Sequence, residues 1–254
     1  EITGVEILRK TITPIVTLSD YKYLYDGGWK EPAVTVKDDD NVTILPDTEY
    51  QVAYANNRNV STDGNPAKVV VTDKPGGNYA INQVEVEFKI TLREQATLSI
   101  TEKPDTVTYG DAFTLSTLGG SGNGNVTWEI VAGTANDGSA AVNPTSGLVR
   151  ITGAGTIIVK ATKSGVDPET NIRNYDDATA IWTFEASKKS VVATVTAEDK
   201  AYDGSDAATI HAVVEEGVLS GDEIIISGLD GTFSDANAGA DKTVTVDFDH
   251  VSIR

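Results

Sequence analysis

Cysteine and methionine are both missing from this 254-residue chain, and histidine occurs only at His211 and His250. Without cysteine there are no disulfides, thiol nucleophiles, zinc-thiolate sites or iron–sulfur clusters. The compartment stays open, because oxidising surroundings permit disulfides without requiring them. Basic residues are scarce as well: 20 Lys and Arg face 38 Asp and Glu, giving a formal charge of −18 and a pI near 4.4. A nucleic-acid surface needs clustered Lys and Arg to displace counterions, so no nucleic-acid partner is expected. An acidic exterior chiefly keeps a protein soluble. No apolar run approaches the ~20 residues of a membrane-spanning helix, so no membrane contact is expected here and any anchor would lie outside these residues. A signal peptide and an initiating Met are also lacking, as expected of a segment from a longer or processed chain.

What the chain does have is a repeated mark. Tyr25-Asp26-Gly27 and Tyr202-Asp203-Gly204 are two copies, with the variant Tyr109-Gly110-Asp111 between them. The copies lie 109 − 25 = 84 and 202 − 109 = 93 residues apart, room for one small β-domain each. Three all-β units are therefore expected, at residues 1–94, 95–187 and 188–254. The composition suits them: 39% of residues are hydrophobic, enough for cores, and 23 glycines serve many short strands and turns.

Alternation supplies the strands. Val16 and Leu18 alternate with polar residues ahead of Tyr21, Tyr23 and Tyr25, and Val84, Val86, Phe88 and Ile90 alternate with Glu85, Glu87 and Lys89 as in a half-buried strand. Residues 91–97 hold no Gly/Ser-rich or Pro-rich tether, so the first junction reads as nearly continuous extended chain. In the second unit Val126, Trp128 and Ile130 share a face, with Trp128 as the core anchor, and the run from Gly119 to Gly124 reads as a hairpin turn. The third unit opens on Val191, Ala193, Val195 and Ala197, and its further strands are expected at 208–214, 223–227 and 243–248.

A second mark tests completeness. Asn78-Tyr79 and Asn174-Tyr175 precede the closing strands at 79 − 25 = 54 and 175 − 109 = 66 residues after the first Tyr. Added to 202, these offsets give 256 and 268. Both exceed 254, so the third unit is expected to lack its last strand and to carry an open β-edge.

These residues carry a family resemblance. Ala201-Tyr202-Asp203-Gly204, Gly221-Asp222-Glu223, the stretch from Thr232 to Gly239 and Lys242-Thr243-Val244-Thr245-Val246 resemble the YDG-type domains of large bacterial surface proteins. The first unit is similar to related β-repeats through Tyr25-Asp26-Gly27, Pro32 to Val36, Tyr50 to Asn57 and Gly77-Asn78-Tyr79. The second resembles a bacterial immunoglobulin-like domain through Thr145 to Val149, Gly153 to Thr156 and Val159 to Thr162. The resemblance implies tandem β-sandwich (immunoglobulin-like) or β-grasp-like domains in an elongated array: an extracellular, non-catalytic structural or adhesion module, at the bacterial cell surface or secreted. It implies no catalytic, cofactor-binding or metal residues.

The residues themselves offer little chemistry. Abundant carboxylates make chance pairs inevitable and do not by themselves make a glycosidase. His211 and His250, with no third His or Cys, do not make a zinc site, and no Gly-x-Ser-x-Gly elbow supports a Ser/His/Asp triad. Calcium could be imagined at Asp38-Asp39-Asp40-Asn41 or between Asp235 and Asp241, but the first reads as a solvated turn and the second departs from the EF-hand pattern. The glycine run leads into a strand rather than a helix, so it is not read as a phosphate cradle. In the motif, Tyr is expected to pack on the sheet, Asp to accept from nearby backbone N–H groups and Gly to supply positive φ.

The sequence thus reads as a non-enzymatic stiff spacer, monomeric and without cofactor, that presents other domains. The alternatives are a carbohydrate- or protein-binding module contacting a host or cell-surface glycan or protein through Tyr21, Tyr23, Trp29, Tyr50 or Tyr54, or an accessory region of a secreted enzyme.

Overall fold

The computed structural model describes residues 2–131, 138–249, 252 and 253, and every helix or strand among them is a β-strand. The first strands are β1 (Lys10–Ile12), β2 (Ile15–Leu18), β3 (Lys22–Leu24), β4 (Val34–Lys37), β5 (Tyr50–Ala55), β6 (Ala67–Asp73), β7 (Tyr79–Ile81) and β8 (Val84–Thr91). The next are β9 (Leu98–Thr101), β10 (Ala112–Thr114), β11 (Ser116–Gly119), β12 (Val126–Ile130), β13 (Ser139–Val142), β14 (Leu148–Gly153), β15 (Gly155–Lys163) and β16 (Ala178–Ala186). The last are β17 (Val192–Ala197), β18 (Ala207–Ala208), β19 (Ile210–Glu216), β20 (Ile226–Ser227), β21 (Asp230–Phe233), β22 (Val244–Asp247) and β23 (Ser252–Ile253). Strands of each group pair only within that group, so the ladders divide the chain into three blocks.

In the first block the sheet β3-β8-β6-β5 is flanked by the pairs β2-β4 and β1-β7. Alternation along β8 and β6 turns Phe88, Ile90, Val69 and Val71 inward, where they meet Ile12, Val36 and Leu45 in one buried cluster. The second block sets β12-β15-β16 against β10-β14-β13, with the pair β11-β9 beside them. Trp128, Val149, Ile151, Ile157 and Val159 come from both three-stranded sheets and form a second cluster, so the sheets pack face to face as a sandwich. Trp128, 6% exposed, is the anchor its sequence position suggested.

The glycine run differs from expectation. It joins β11 to β12, which belong to different sheets, so it is a crossover between layers rather than a hairpin turn. Gly119 and Gly122 have φ of +91° and +68°, which lets the chain change layer within a few residues.

The third block is slighter. It holds β17-β19, β18-β21-β22 and β20-β23, and the strand expected at 223–227 shrinks to Ile226–Ser227. Among the described residues no hydrophobic side chain beyond Ala186 is buried, and β22 pairs on one edge alone.

One backbone arrangement recurs. The Tyr25 N–H donates to Thr91 O at 3.0 Å beside the parallel ladder β3-β8, and the Tyr109 N–H donates to Ser187 O at 2.9 Å beside the parallel bridge Thr108–Ser187. A second arrangement also repeats: Lys10 N–H to Asn78 O with the parallel bridge Lys10–Tyr79, and Arg93 N–H to Asn174 O with the parallel bridge Arg93–Tyr175. Tyr109 is thus the backbone counterpart of Tyr25 although the two residues after it are exchanged.

Candidate functional site

The three Tyr-containing corners are where sequence marks and structure converge. Gly27, Gly110 and Gly204 take φ of +85°, +91° and +81°, the left-handed conformation that favours glycine. Asp26 Oδ1 accepts the Gly28 N–H at 2.8 Å and Asp203 Oδ1 accepts the Ser205 N–H at 2.9 Å, the same Asx turn twice. Both carboxylates lie below the usual range, Asp26 first through Lys30 and then Gly28, Asp203 first through the Ser205 N–H and then Lys200. In the variant, Asp111 Oδ2 instead accepts from Thr108 N–H at 2.8 Å.

Two corners touch the following block. The Tyr25 ring meets Tyr175 edge-on, centroids 5.3 Å apart. Beside it, Asn174 accepts the Val60 N–H at 3.0 Å and donates to Asn59 at 3.1 Å. Between these blocks Gln95 donates to Lys163 O and Asp176 O and accepts the Ser121 N–H at 2.9 Å, tying the connecting segment to β15 and the glycine crossover. At the next junction the Tyr109 hydroxyl donates to the Asp222 carboxylate, 2.9 Å and 3.0 Å from its two oxygens. Leu219 fills the space at Gly110, where a Cβ would come within 2.3 Å of Leu219 Cδ1. Asn174, Leu219 and Asp222 carried no signal as junction residues in the sequence. The only local hint was the order Tyr109-Gly110, which puts the residue without a Cβ where Leu219 arrives. Among the described residues the third corner has no such cover: Tyr202 is 71% exposed, where packing on a sheet was expected.

The other sequence candidates scatter. Tyr23, Tyr50 and Tyr54 pack against the first buried cluster, and the Tyr54 hydroxyl donates to Pro32 O at 2.9 Å, so they do not form an outward face. Tyr21 and Trp29 are exposed, Trp29 with the Arg58 guanidinium 5.5 Å from its ring centroid. Asp38 is buried and held by Lys10 at 2.7 Å, while Asp40 takes the Val42 and Thr43 N–H groups, so this acidic run is an internally bonded turn. Asp235 holds Lys242 at 2.5 Å and the Asn237 N–H at 2.8 Å. Among the described residues no group of three or more His, Cys, Asp or Glu side chains is placed to hold a metal. His211 is exposed beside Glu198 at 2.7 Å, and His250 lies outside the described residues.

Glu49 supports the repeated Asn-Tyr mark. Oε2 accepts the Asn78 N–H at 2.6 Å and Oε1 its side-chain amide at 2.9 Å, and these bonds hold the carboxyl below its ordinary 4.5. A depressed folded-state pKa gives stability that is present above the unfolded value and lost as pH falls through the folded one. Thermal melts should therefore hold steady at neutral pH and weaken below about pH 4, the ordinary carboxylate range. Glu49→Gln should melt lower at neutral pH with a shallower acid limb, and a limb as steep as that of the parent would overturn the assignment.

The sequence of the third block decides its kinship. Residues 186–251 match the YDG domain family. No curated protein matches the chain. Among solved structures, human protocadherin-24 EC1-2 is 12% identical over 69% of this chain and 96% of that one, TM-score 0.29. A C-terminal intimin fragment in complex with the intimin-binding domain of the translocated intimin receptor is 19% identical over 73% and 66%, TM-score 0.26. Drosophila N-cadherin EC1-4 is 14% identical over 90% and 55%, TM-score 0.28. The YDG domain spans the third Tyr-Asp-Gly corner and β17 to β22.

Proposed function

We propose that the chain is a non-catalytic extracellular module of a bacterial surface protein: three small β-domains, at 1–94, 95–187 and 188–254, forming a stiff spacer that presents other domains for adhesion. The observation that carries this reading is that both block junctions are held by side chains as well as by the chain itself. Free linkers leave neighbouring domains mobile, whereas the Asn174 bonds to Val60 and Asn59 and the Tyr25–Tyr175 ring contact fix one junction and Tyr109, Asp222 and Leu219 fix the other. The acidic exterior keeps such an array dispersed.

Small-angle scattering tests it. The parent protein should give the extended distance distribution of three modules in line, and Tyr109→Phe should broaden it at the second junction while far-UV circular dichroism stays the same. A compact profile for the parent, or no change in the variant, would overturn the stiff-spacer reading.

A further inference from the structure

We propose that the first block carries a binding site for a neutral glycan, a groove in which a sugar ring stacks on Tyr21 and hydrogen-bonds to Asp63, Glu87 and Lys89. The site lies wholly within one block, so it stands whether or not the junctions are stiff.

The groove follows from the sheet order. Alternation along β8 that turns Phe88 and Ile90 into the core leaves Glu87 and Lys89 exposed. In the sheet β8 lies between β3 and β6, so Tyr21, just before β3, and the 61–66 loop, just before β6, stand on its two sides. Tyr21, Thr62, Asp63, Pro66, Glu87 and Lys89 together line a groove of about 430 Å³, within the ~300–1,000 Å³ of small-ligand sites. Of Tyr21, Tyr23, Trp29, Tyr50 and Tyr54, Tyr21 alone lines it.

Both sides are held in place without a ligand. The Tyr21 carbonyl takes the Lys89 N–H at 2.9 Å and its hydroxyl accepts the Leu18 N–H at 3.1 Å, so the residue is bonded at both ends while remaining 49% exposed. Across β8, the Ser61 N–H donates to Ile90 O at 2.9 Å and the Ser61 hydroxyl accepts the Ile90 N–H at 3.0 Å. The Asn65 N–H closes the turn on Thr62 O at 3.0 Å, and Asn56 Nδ2 holds Pro66 O at 3.1 Å. Groups fixed beforehand lose little freedom when a ligand arrives, which favours binding.

The charges select the class of ligand. Among the described residues the side chains of Asp63, Glu87 and Lys89 make no hydrogen bond or ion pair, whereas Lys68, opposite Glu87 in the ladder, is already paired with Glu85 at 2.7 Å. An anion would gain Lys89 but meet two carboxylates on a chain of charge −18. A cation would gain the carboxylates but meet Lys89. A neutral polyhydroxylated ring is opposed by none of them: each hydroxyl both donates and accepts, so Asp63 and Glu87 can take its protons and Lys89 can donate to its oxygens. The C–H groups on one face of a pyranose complete the fit, because they are weakly positive and the face of the Tyr21 ring is electron-rich.

An array of neutral, sialylated and sulfated glycans tests this, probed with the full chain gathered on streptavidin so that several weak sites act together. Neutral glycans should be retained and the acidic ones should not. Calorimetric titration with the best-retained neutral oligosaccharide should then show binding about tenfold weaker for Tyr21→Ala and for Glu87→Ala, the worth of a ring contact or of one hydrogen bond to a charged group. Trp29→Ala should bind as the parent does. Glu87 is exposed and without a side-chain partner among the described residues, so Glu87→Ala should melt with the parent and keeps the test independent of any effect of Tyr21→Ala on folding. No retention of any glycan, retention of the acidic ones alone, parental affinity in Glu87→Ala, or loss of binding in Trp29→Ala would each overturn the proposal.

Discussion

Trp128→Ala is expected to cost the second block about 3–5 kcal/mol, the range for removing a large buried aromatic. For a domain of this size that lowers its melting temperature by roughly 4–8 °C per kcal/mol, enough to leave much of the block unfolded at physiological temperature. Trp128 sits mid-strand on β12, 6% exposed, with Val149, Ile151, Val159 and Ala161 in the same cluster. Little can move in to fill the gap. The backbone at Gly147 already lies flush on the indole, since a Cβ there would stand 2.9 Å from Trp128 Cε2, and the Trp128 N–H is tied to Pro144 O at 3.0 Å. Calorimetry of the full chain should show the second-block transition displaced and the first-block transition in place. A displacement worth less than about 1 kcal/mol, typical of a surface site, would show that the anchor lies elsewhere.

Gly124→Ala should be nearly as damaging, about 3 kcal/mol by the scale of core overpacking. The added methyl would stand 1.7 Å from Ser164 O and 2.6 Å from Ser164 C, both backbone atoms. Neither can swing aside as a side chain would, because Ser164 N–H is bonded to Asn125 O at 2.9 Å and the next ladder begins two residues on at Val126–Lys163. The mutation therefore has to pry the glycine crossover from the end of β15. Gly204→Ala is the natural control: its φ of +81° carries left-handed strain of about 1–2 kcal/mol, but nothing lies within 4 Å of the new methyl. Denaturant melts that rank Gly204→Ala as the worse of the two would overturn this account.

What the sequence made legible was local. Alternation placed β8 and the inward face of β12 because period two is a property of a few consecutive residues. The Tyr mark located equivalent corners even at Tyr109, where the altered order hid a preserved backbone bond to Ser187. Long-range choices were not legible. Nothing near Tyr109 announces Asp222, 113 residues away, as the acceptor of its hydroxyl proton. The glycine run looked like a hairpin because turn residues between two apolar runs do not say whether those runs share a sheet. The aromatics weighed as an alternative contact surface divided, since Tyr23, Tyr50 and Tyr54 alternate into the first core while Trp29 follows a corner and stays out. In the third block the expected strand at 223–227 shortened to two residues, a place where propensity acts without a buried core to reinforce it.

The parallel ladders β1-β7 and β3-β8 join the earliest strands of the first block to its latest. When an array is tugged from its two ends, the leading strand of such a pair is drawn one way and the trailing strand the other, along their common axis. The hydrogen bonds between them are then loaded in shear and share the force, instead of opening one at a time as the bonds of a peeled hairpin do. Rupture under tension is governed by the unfolding rate rather than by equilibrium stability. Under such a load, early strands laid beside late ones would make the block resist rupture beyond what its equilibrium stability indicates.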